Sequence, residues 1–339
     1  MTHHVPPPSS AQMEAARQVV ADHLTPTPTI STTIRGRHVF AKMDSLQPVG
    51  SFKIRGALAA IADSLRQDPH GAVIASSAGN HGLGIAHAAT LLGATATVVV
   101  PGNASAAKVA KLKTYDITLI QYGDTYDEAQ EHAHELADAH SLHFLSPFND
   151  PNVVAGQATC FDELLAQVPD IEEVVVPIGG GGLMAGCLVS RTANLRHDVK
   201  ITGVQAENWA AMYHYLNGVA PDDIPHANTI ADGLAGGVVE GAVTNALIEE
   251  NKSTSRWSPR PRCVVASPRH CVTTASCLKV HPRSVTRLSP SISSTRRIDE
   301  WPLSRVDAIS PTLCCARSWR KPRSKTAWPD DCPPRSPVR

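Results

Sequence analysis

Three stretches of this chain carry residue types whose spacing permits chemistry. The first is Pro48-Val49-Gly50-Ser51-Phe52-Lys53-Ile54-Arg55-Gly56-Ala57. Apolar residues at Ile54, Leu58, Ile61 and Leu65 have helical spacing, while Pro48 and Gly50 read as a turn, so Lys53 stands where a loop becomes a helix. The positive end of the helix dipole and the neighbouring Phe52 both disfavour the ammonium form. The resulting neutral amine attacks carbonyls and forms Schiff bases. The second stretch, Ser76-Ser77-Ala78-Gly79-Asn80-His81-Gly82, follows an apolar run and opens a helix. Backbone N–H groups at such a start suit a carboxylate, and the Asn80 amide adds a donor; the plainer reading is an N-cap turn. The third, Pro177-Ile178-Gly179-Gly180-Gly181-Gly182-Leu183-Met184-Ala185-Gly186, lies between a Val-rich strand and a helix. Glycines there let the backbone approach a phosphate closely.

The glycine run also fits a dinucleotide fingerprint, Gly180-x-Gly182-x-x-Ala185, with Glu207 ending the next strand as a ribose contact. That spacing is longer than usual, and it leaves Lys53 and Asn80 without a task. No metal is expected: His132, His134, His140 and His143 lie on or near one polar helix and form no His-Glu-x-x-His motif.

The elements that must hold these residues alternate along the chain. Strands are expected at Val39–Met43, Ala72–Ser76, Thr95–Val100, Ile117–Tyr122, Leu142–Leu145, Glu173–Pro177 and Ile201–Gln205. Helices are expected at Ala11–His23, after Lys53, and at Gly82–Leu92, Ala104–Thr114, Tyr126–Ala139, Val153–Leu165, Gly182–Ala193 and from Val243. Strands separated by helix-length segments imply βαβ units, hence an α/β fold with two doubly wound parallel-sheet layers and a cleft between them. The expected division is 1–67 and 148–250 for a larger domain, 68–147 for a smaller one, and 251–339 for a tail.

That tail differs in kind. Of 31 basic and 31 acidic residues, 18 and 5 lie from Asn251 onward, and all 22 glycines lie before it. The tail is rich in Ser, Arg, Pro and Cys, lacks Phe and Tyr, and keeps no period of 2 or 3.6. It reads as an out-of-frame translation, with a disordered basic tail and an Arg-rich nucleic-acid arm as alternatives. The first 250 residues hold two of the 8 cysteines, Cys160 and Cys187, which suits a reducing compartment. No secretory signal or membrane-spanning run stands out, so a cytoplasmic body is expected, without membrane or nucleic-acid partner.

Together, Ser51-Phe52-Lys53-x-Arg55-Gly56-Ala57, Ser77-Ala78-Gly79-Asn80-His81-Gly82 and Gly179-Gly180-Gly181-Gly182-Leu183 closely resemble the serine/threonine dehydratase family. These are pyridoxal-phosphate enzymes of the tryptophan-synthase-β-like fold (fold type II). Gly156-Gln157-Ala158-Thr159, Gly203-Val204-Gln205-Ala206-Glu207 and Thr229–Leu234 add to the match. The resemblance implies that Lys53 carries the cofactor aldehyde and serves as base, that Gly179, Gly180, Gly181, Gly182 and Leu183 form the phosphate loop, and that Phe52 flanks the ring. It implies Asn80 on the ring's 3′ oxygen, and Ser77, Gly79, Asn80 and His81 on the carboxylate of a small amino-acid substrate. The implied activity is β-elimination from L-threonine or L-serine to a 2-oxo acid and ammonia, in a homodimer. Racemisation, β-replacement and a catalytically impaired remnant are the alternatives. Ala78 stands where related racemases carry a second base, and Gln205 and Ala211 where some relatives carry metal-binding carboxylates. The family's Ser-Gly-Gly-Asn-like turn, which meets the pyridine nitrogen, has no counterpart in a tail without glycine. The larger domain is therefore expected to lack its C-terminal part.

Overall fold

The computed structural model describes residues 5–34, 37–229, 231–254, 263–266 and 313–317. The chain is α/β, with two sheets. The smaller takes β3 (Ala72–Ser76), β4 (Thr95–Val100), β5 (Thr118–Gln121) and β6 (His143–Phe144), all parallel in the order β5-β4-β3-β6. Strand period 2 divides its side chains cleanly between two faces. Val73, Ala75, Val98 and Val100 pack with Leu83, Ile85 and Ala86 of α3 (Asn80–Leu92) and Leu112 of α4 (Ala106–Leu112). Ile74 and Val99 face the other way, against Ala129, Ala133 and Ala137 of α5 (Tyr126–His140). A sheet covered by helices on both sides needs near-continuous apolar strands, and β3 and β4 supply them.

The larger sheet has the order β1-β2-β10-β7-β8-β9, from β1 (Thr29–Ile34), β2 (Arg37–Met43), β7 (Glu173–Pro177), β8 (Lys200–Ala206), β9 (Cys263–Ala266) and β10 (Leu313–Arg317). Strands β7, β8 and β9 are mutually parallel. Val174, Val176 and Ile201 pack there against Phe161 and Leu164 of α6 (Pro151–Gln167) and Met184 and Leu188 of α7 (Gly182–Ala193). The other half departs from the all-parallel expectation: β1 and β2 form an antiparallel hairpin, and β10 pairs antiparallel with both β2 and β7. Strand β1 is unannounced in the sequence because Thr29-Ile30-Ser31-Thr32-Thr33-Ile34 is half-buried only at its ends and has no apolar alternation. The short α8 (Ala211–Tyr215) is likewise unannounced, while α9 (Val243–Thr254) starts where expected.

Behind Asn251 the backbone of β9 and β10 joins the larger sheet, in a stretch whose sequence has no strand period. The out-of-frame reading, the nucleic-acid arm and the absent pyridine-contacting turn otherwise fall on 255–262, 267–312 and 318–339, outside the described residues. No helix among the described residues is long and apolar enough to cross a membrane.

Helix α2 (Lys53–Gln67) packs against α1 (Ser10–His23), α3 and α6, and so joins the two sheets. Its crossing with α6 is close: a Cβ on Gly156 would lie 2.6 Å from the Gly56 Cα. Beneath its first turn sits a buried ionic network. Arg55 donates to Asp44 at 2.6 and 3.0 Å and to Glu163 at 2.6 and 2.9 Å. Thr159 accepts from the same guanidinium at 3.1 Å, and Lys42 pairs with Glu163 at 2.5 Å. Lys42, Asp44 and Arg55 are each at most 1% exposed. Two cations and two anions, all but the partly covered Glu163 fully buried, neutralise one another, the condition for burying charge at all.

Candidate active site

Lys53 is the first residue of α2, brought there by a turn in which Gly50 adopts φ 76°. No side chain caps this helix start. The Lys53 side chain keeps a partial opening to solvent, yet its amine is crowded enough that burial lowers the pKa to about 8. Desolvation is the cause, more than the helix position expected to share the work. The amine donates to Pro147 O at 2.8 Å and lies 5.4 Å from the centroid of the Phe52 ring, which is buried.

The Ser77–His81 turn reaches the same place because α3 packs against α2: a Cβ on Gly84 would sit 3.2 Å from the Lys53 carbonyl. Gly79 is the N-cap of α3, and its N–H donates to Ser77 Oγ at 3.1 Å. Asn80 opens the helix, half-buried. His81 is buried with Nε2 2.9 Å from Leu145 O. A carbonyl can only accept, so Nε2 carries the hydrogen and Nδ1 is left as a lone pair. Burial and then the nearby Lys53 charge push the imidazole down to about 3, so it stays neutral at physiological pH. Ser51 Oγ, Ser76 Oγ and His81 Nδ1, polar atoms on these two motifs, are buried with no hydrogen-bond partner among the described residues.

The glycine run turns from β7 into α7 through Gly181, the N-cap, at φ 90°. A Cβ on Gly180 would run into the Phe148 ring, and one on Gly179 would stand 3.4 Å from Leu234 O. Leu183 differs from its neighbours: its side chain is 3% exposed and belongs to the apolar core, so only its backbone can serve the loop. Thr244 Oγ1 donates to Gly180 O at 3.0 Å from α9. Glu207, the ribose contact of the dinucleotide reading, is exposed at the end of β8.

These features fit pyridoxal phosphate. A phosphate needs N–H donors at a helix start, and Gly179–Gly182 bring them there with no side chains of their own to stand in the way. An aldehyde needs an amine with a substantial neutral fraction, and Lys53 provides that. What sequence reasoning missed is the segment Leu145–Asp150 between β6 and α6. Its carbonyls hold Lys53 and His81, and Phe148 lies on the glycines. The one local signal there is Asp150-Pro151, a helix N-cap followed by Pro at the first turn.

Comparison with known proteins points to the same cofactor. Residues 20–256 match the family described as pyridoxal-phosphate dependent enzyme. The L-threonine ammonia-lyase of Thermotoga maritima is 39% identical over 206 residues, 61% of this chain and 51% of that protein. The chain thus spans about half the length of this curated relative. The crystal structure of the T.th. threonine deaminase is similar with a TM-score of 0.69 at 28% identity, covering 81% of this chain and 88% of that one. Maize serine racemase gives 0.69 at 26%, covering 80% of each chain. A desolvated lysine at a helix start, a second helix start beside it and a glycine cradle therefore have one common account: the chain belongs to the pyridoxal-phosphate dependent enzyme family.

Proposed function

We propose that this protein is a lyase converting L-threonine, L-serine or both into the corresponding 2-oxo acid and ammonia. The observation that carries the proposal is the desolvated Lys53 amine, with α3 packed against its backbone and Pro147-Phe148 linking it to the glycine cradle of α7. The names of the ammonia-lyase and deaminase relatives support threonine as a substrate.

In this reading the N–H groups of Gly179, Gly180, Gly181, Gly182 and Leu183 hold the cofactor phosphate, Lys53 its aldehyde carbon and Asn80 its 3′ oxygen, with Phe52 alongside. The bound cofactor supplies a conjugated electron sink for the pair left at the substrate Cα. Ser77, Gly79, Asn80 and His81 hold the substrate carboxylate at the α3 start. His81 is neutral and gives its one ring N–H to Leu145 O, so it offers the carboxylate its backbone N–H rather than its ring. The Lys53 nitrogen takes the Cα proton. With a pKa of about 8, about a tenth of its amines are neutral at pH 7, against roughly three in ten thousand for an ordinary lysine. Loss of the β-hydroxyl as water then leaves an enamine whose hydrolysis returns that water and releases ammonia.

The likeness to serine racemase favours a second reading, racemisation. That reaction needs a group returning a proton to the opposite face of Cα, and Ala78 has none to offer. Elimination is the reading we prefer. We also propose a cytosolic homodimer.

The test is to incubate the purified chain and Lys53→Ala with pyridoxal phosphate and each amino acid. Ammonia, 2-oxo acid and substrate chirality are then measured, and the borohydride-reduced protein is mapped. Turnover with label on Lys53 is the expected result. Label on Lys53 with no product marks an impaired remnant, and label on any other residue overturns the site.

A further inference from the structure

The segment Leu145–Asp150 touches each part of the proposed site. Leu145 O accepts from His81 at 2.9 Å, and Pro147 O accepts from Lys53 at 2.8 Å. A Cβ on Gly180 would meet Phe148 Cγ at 2.7 Å and the ring edge closer still, and one on Gly182 would meet Phe148 Cβ at 3.2 Å. Asn149 Oδ1 accepts from Val243 N at 2.9 Å and so ties the segment to the first residue of α9. From the far side α9 closes on the same loop: Thr244 donates to Gly180 O, and a Cβ on Gly181 would lie 3.0 Å from both Thr244 Cβ and Ile248 Cδ1. The glycine run is thus held between Phe148 and α9.

We propose that Phe148 is a positioning residue for the cofactor phosphate: its ring holds Gly180–Gly182 in the form that presents their N–H groups, one residue away from the carbonyl on which Lys53 rests. The proposal rests on the reading of Gly179–Gly182 as the phosphate loop. Four successive glycines have the largest backbone freedom any four residues can have, and an unsupported loop would have to be ordered when the anion binds. A ring packed on one side and a helix on the other remove that cost beforehand, and affinity rises accordingly.

The test compares pyridoxal phosphate with pyridoxal, which has the same aldehyde and ring but no phosphate. Both are titrated into the full chain by absorbance, in wild type, Phe148→Leu and Phe148→Ala, with inorganic phosphate as a competitor. The ratio of the two affinities reads the phosphate alone. That ratio is expected to fall about tenfold in Phe148→Ala and about threefold in Phe148→Leu, with pyridoxal binding nearly unchanged, since only the cradle is disturbed. A residue that merely supports the fold would weaken both ligands alike. An equal loss, or an unchanged ratio, overturns the proposal. If Phe148→Ala does not fold, the ratio in Phe148→Leu decides by the same rule. A wild type that does not prefer pyridoxal phosphate overturns the phosphate-loop reading itself.

Discussion

Lys53 owes its reactivity to crowding: burial takes its amine from the ordinary 10.5 to about 8. The same shift makes a statement about stability. Between those values the unfolded chain binds a proton that the folded cofactor-free chain does not, so stability rises with pH across that window. Below about 8 both states are charged and the desolvation cost is felt in full; above 10.5 both are neutral and it is absent. Lys53→Met, which has no charge to desolvate, is therefore expected to be more stable than wild type at pH 7 by on the order of 2 kcal/mol, allowing for the side chain's partial opening to solvent. The gap should close by about pH 10.5. Urea denaturation of the cofactor-free proteins at several pH values checks it, and a gap independent of pH would refute the assignment. His81 follows the same sign in acid. Its neutral form is favoured down to about 3, so wild type should lose stability relative to His81→Gln as pH falls from about 6.5 toward 3.

At the scale of elements, the site depends on two close approaches that only glycine allows. Gly181 adopts φ 90° with Thr244 and Ile248 already 3.0 Å from where a Cβ would be. Gly181→Ala should therefore cost about 1–2 kcal/mol of stability and weaken pyridoxal phosphate binding about tenfold, since the N-cap that starts α7 is also part of the cradle. A thermal melt and an absorbance titration read the two effects separately. At the α2–α6 crossing, a Cβ on Gly156 would overlap Gly56 and the Arg55 carbonyl, which is backbone and cannot swing aside. Gly156→Ala should cost about 2–3 kcal/mol in urea denaturation, and normal stability would mean that the helices are free to separate.

Over the whole molecule, the joint between the two sheets is α2, and its anchor is the Arg55 network. Burial pushes Asp44 up, but the Arg55 guanidinium pulls it further down, leaving its carboxyl below the usual range. Arg55→Met would leave Asp44 and Glu163 facing only Lys42 in a dry interior, a loss of about 3–5 kcal/mol in chemical denaturation. Arg55 lies two residues from Lys53 on the same helical turn, so cofactor binding should weaken with it. A variant as stable as wild type would show that the network contributes nothing net.

Much of this protein was legible one residue at a time. The near-continuous apolar runs of β3 and β4 and the glycines between β7 and α7 are local patterns, set by strand length, helix period and turn chemistry within a few residues. They placed Ala72–Ser76, Thr95–Val100, Glu173–Pro177 and Gly182–Ala193 at the bounds found. Periodicity says which face is buried but not what covers it. That Phe148 would lie on Gly180, that Pro147 would receive the Lys53 amine from 94 positions away, and that Arg55 would bridge Asp44 and Glu163 were decided by packing between distant segments. The lysine's identity and place belong to the sequence. The dry surroundings that make its amine reactive exist only once α2, α3 and the Leu145–Asp150 segment close around it, because desolvation is a property of neighbours in space.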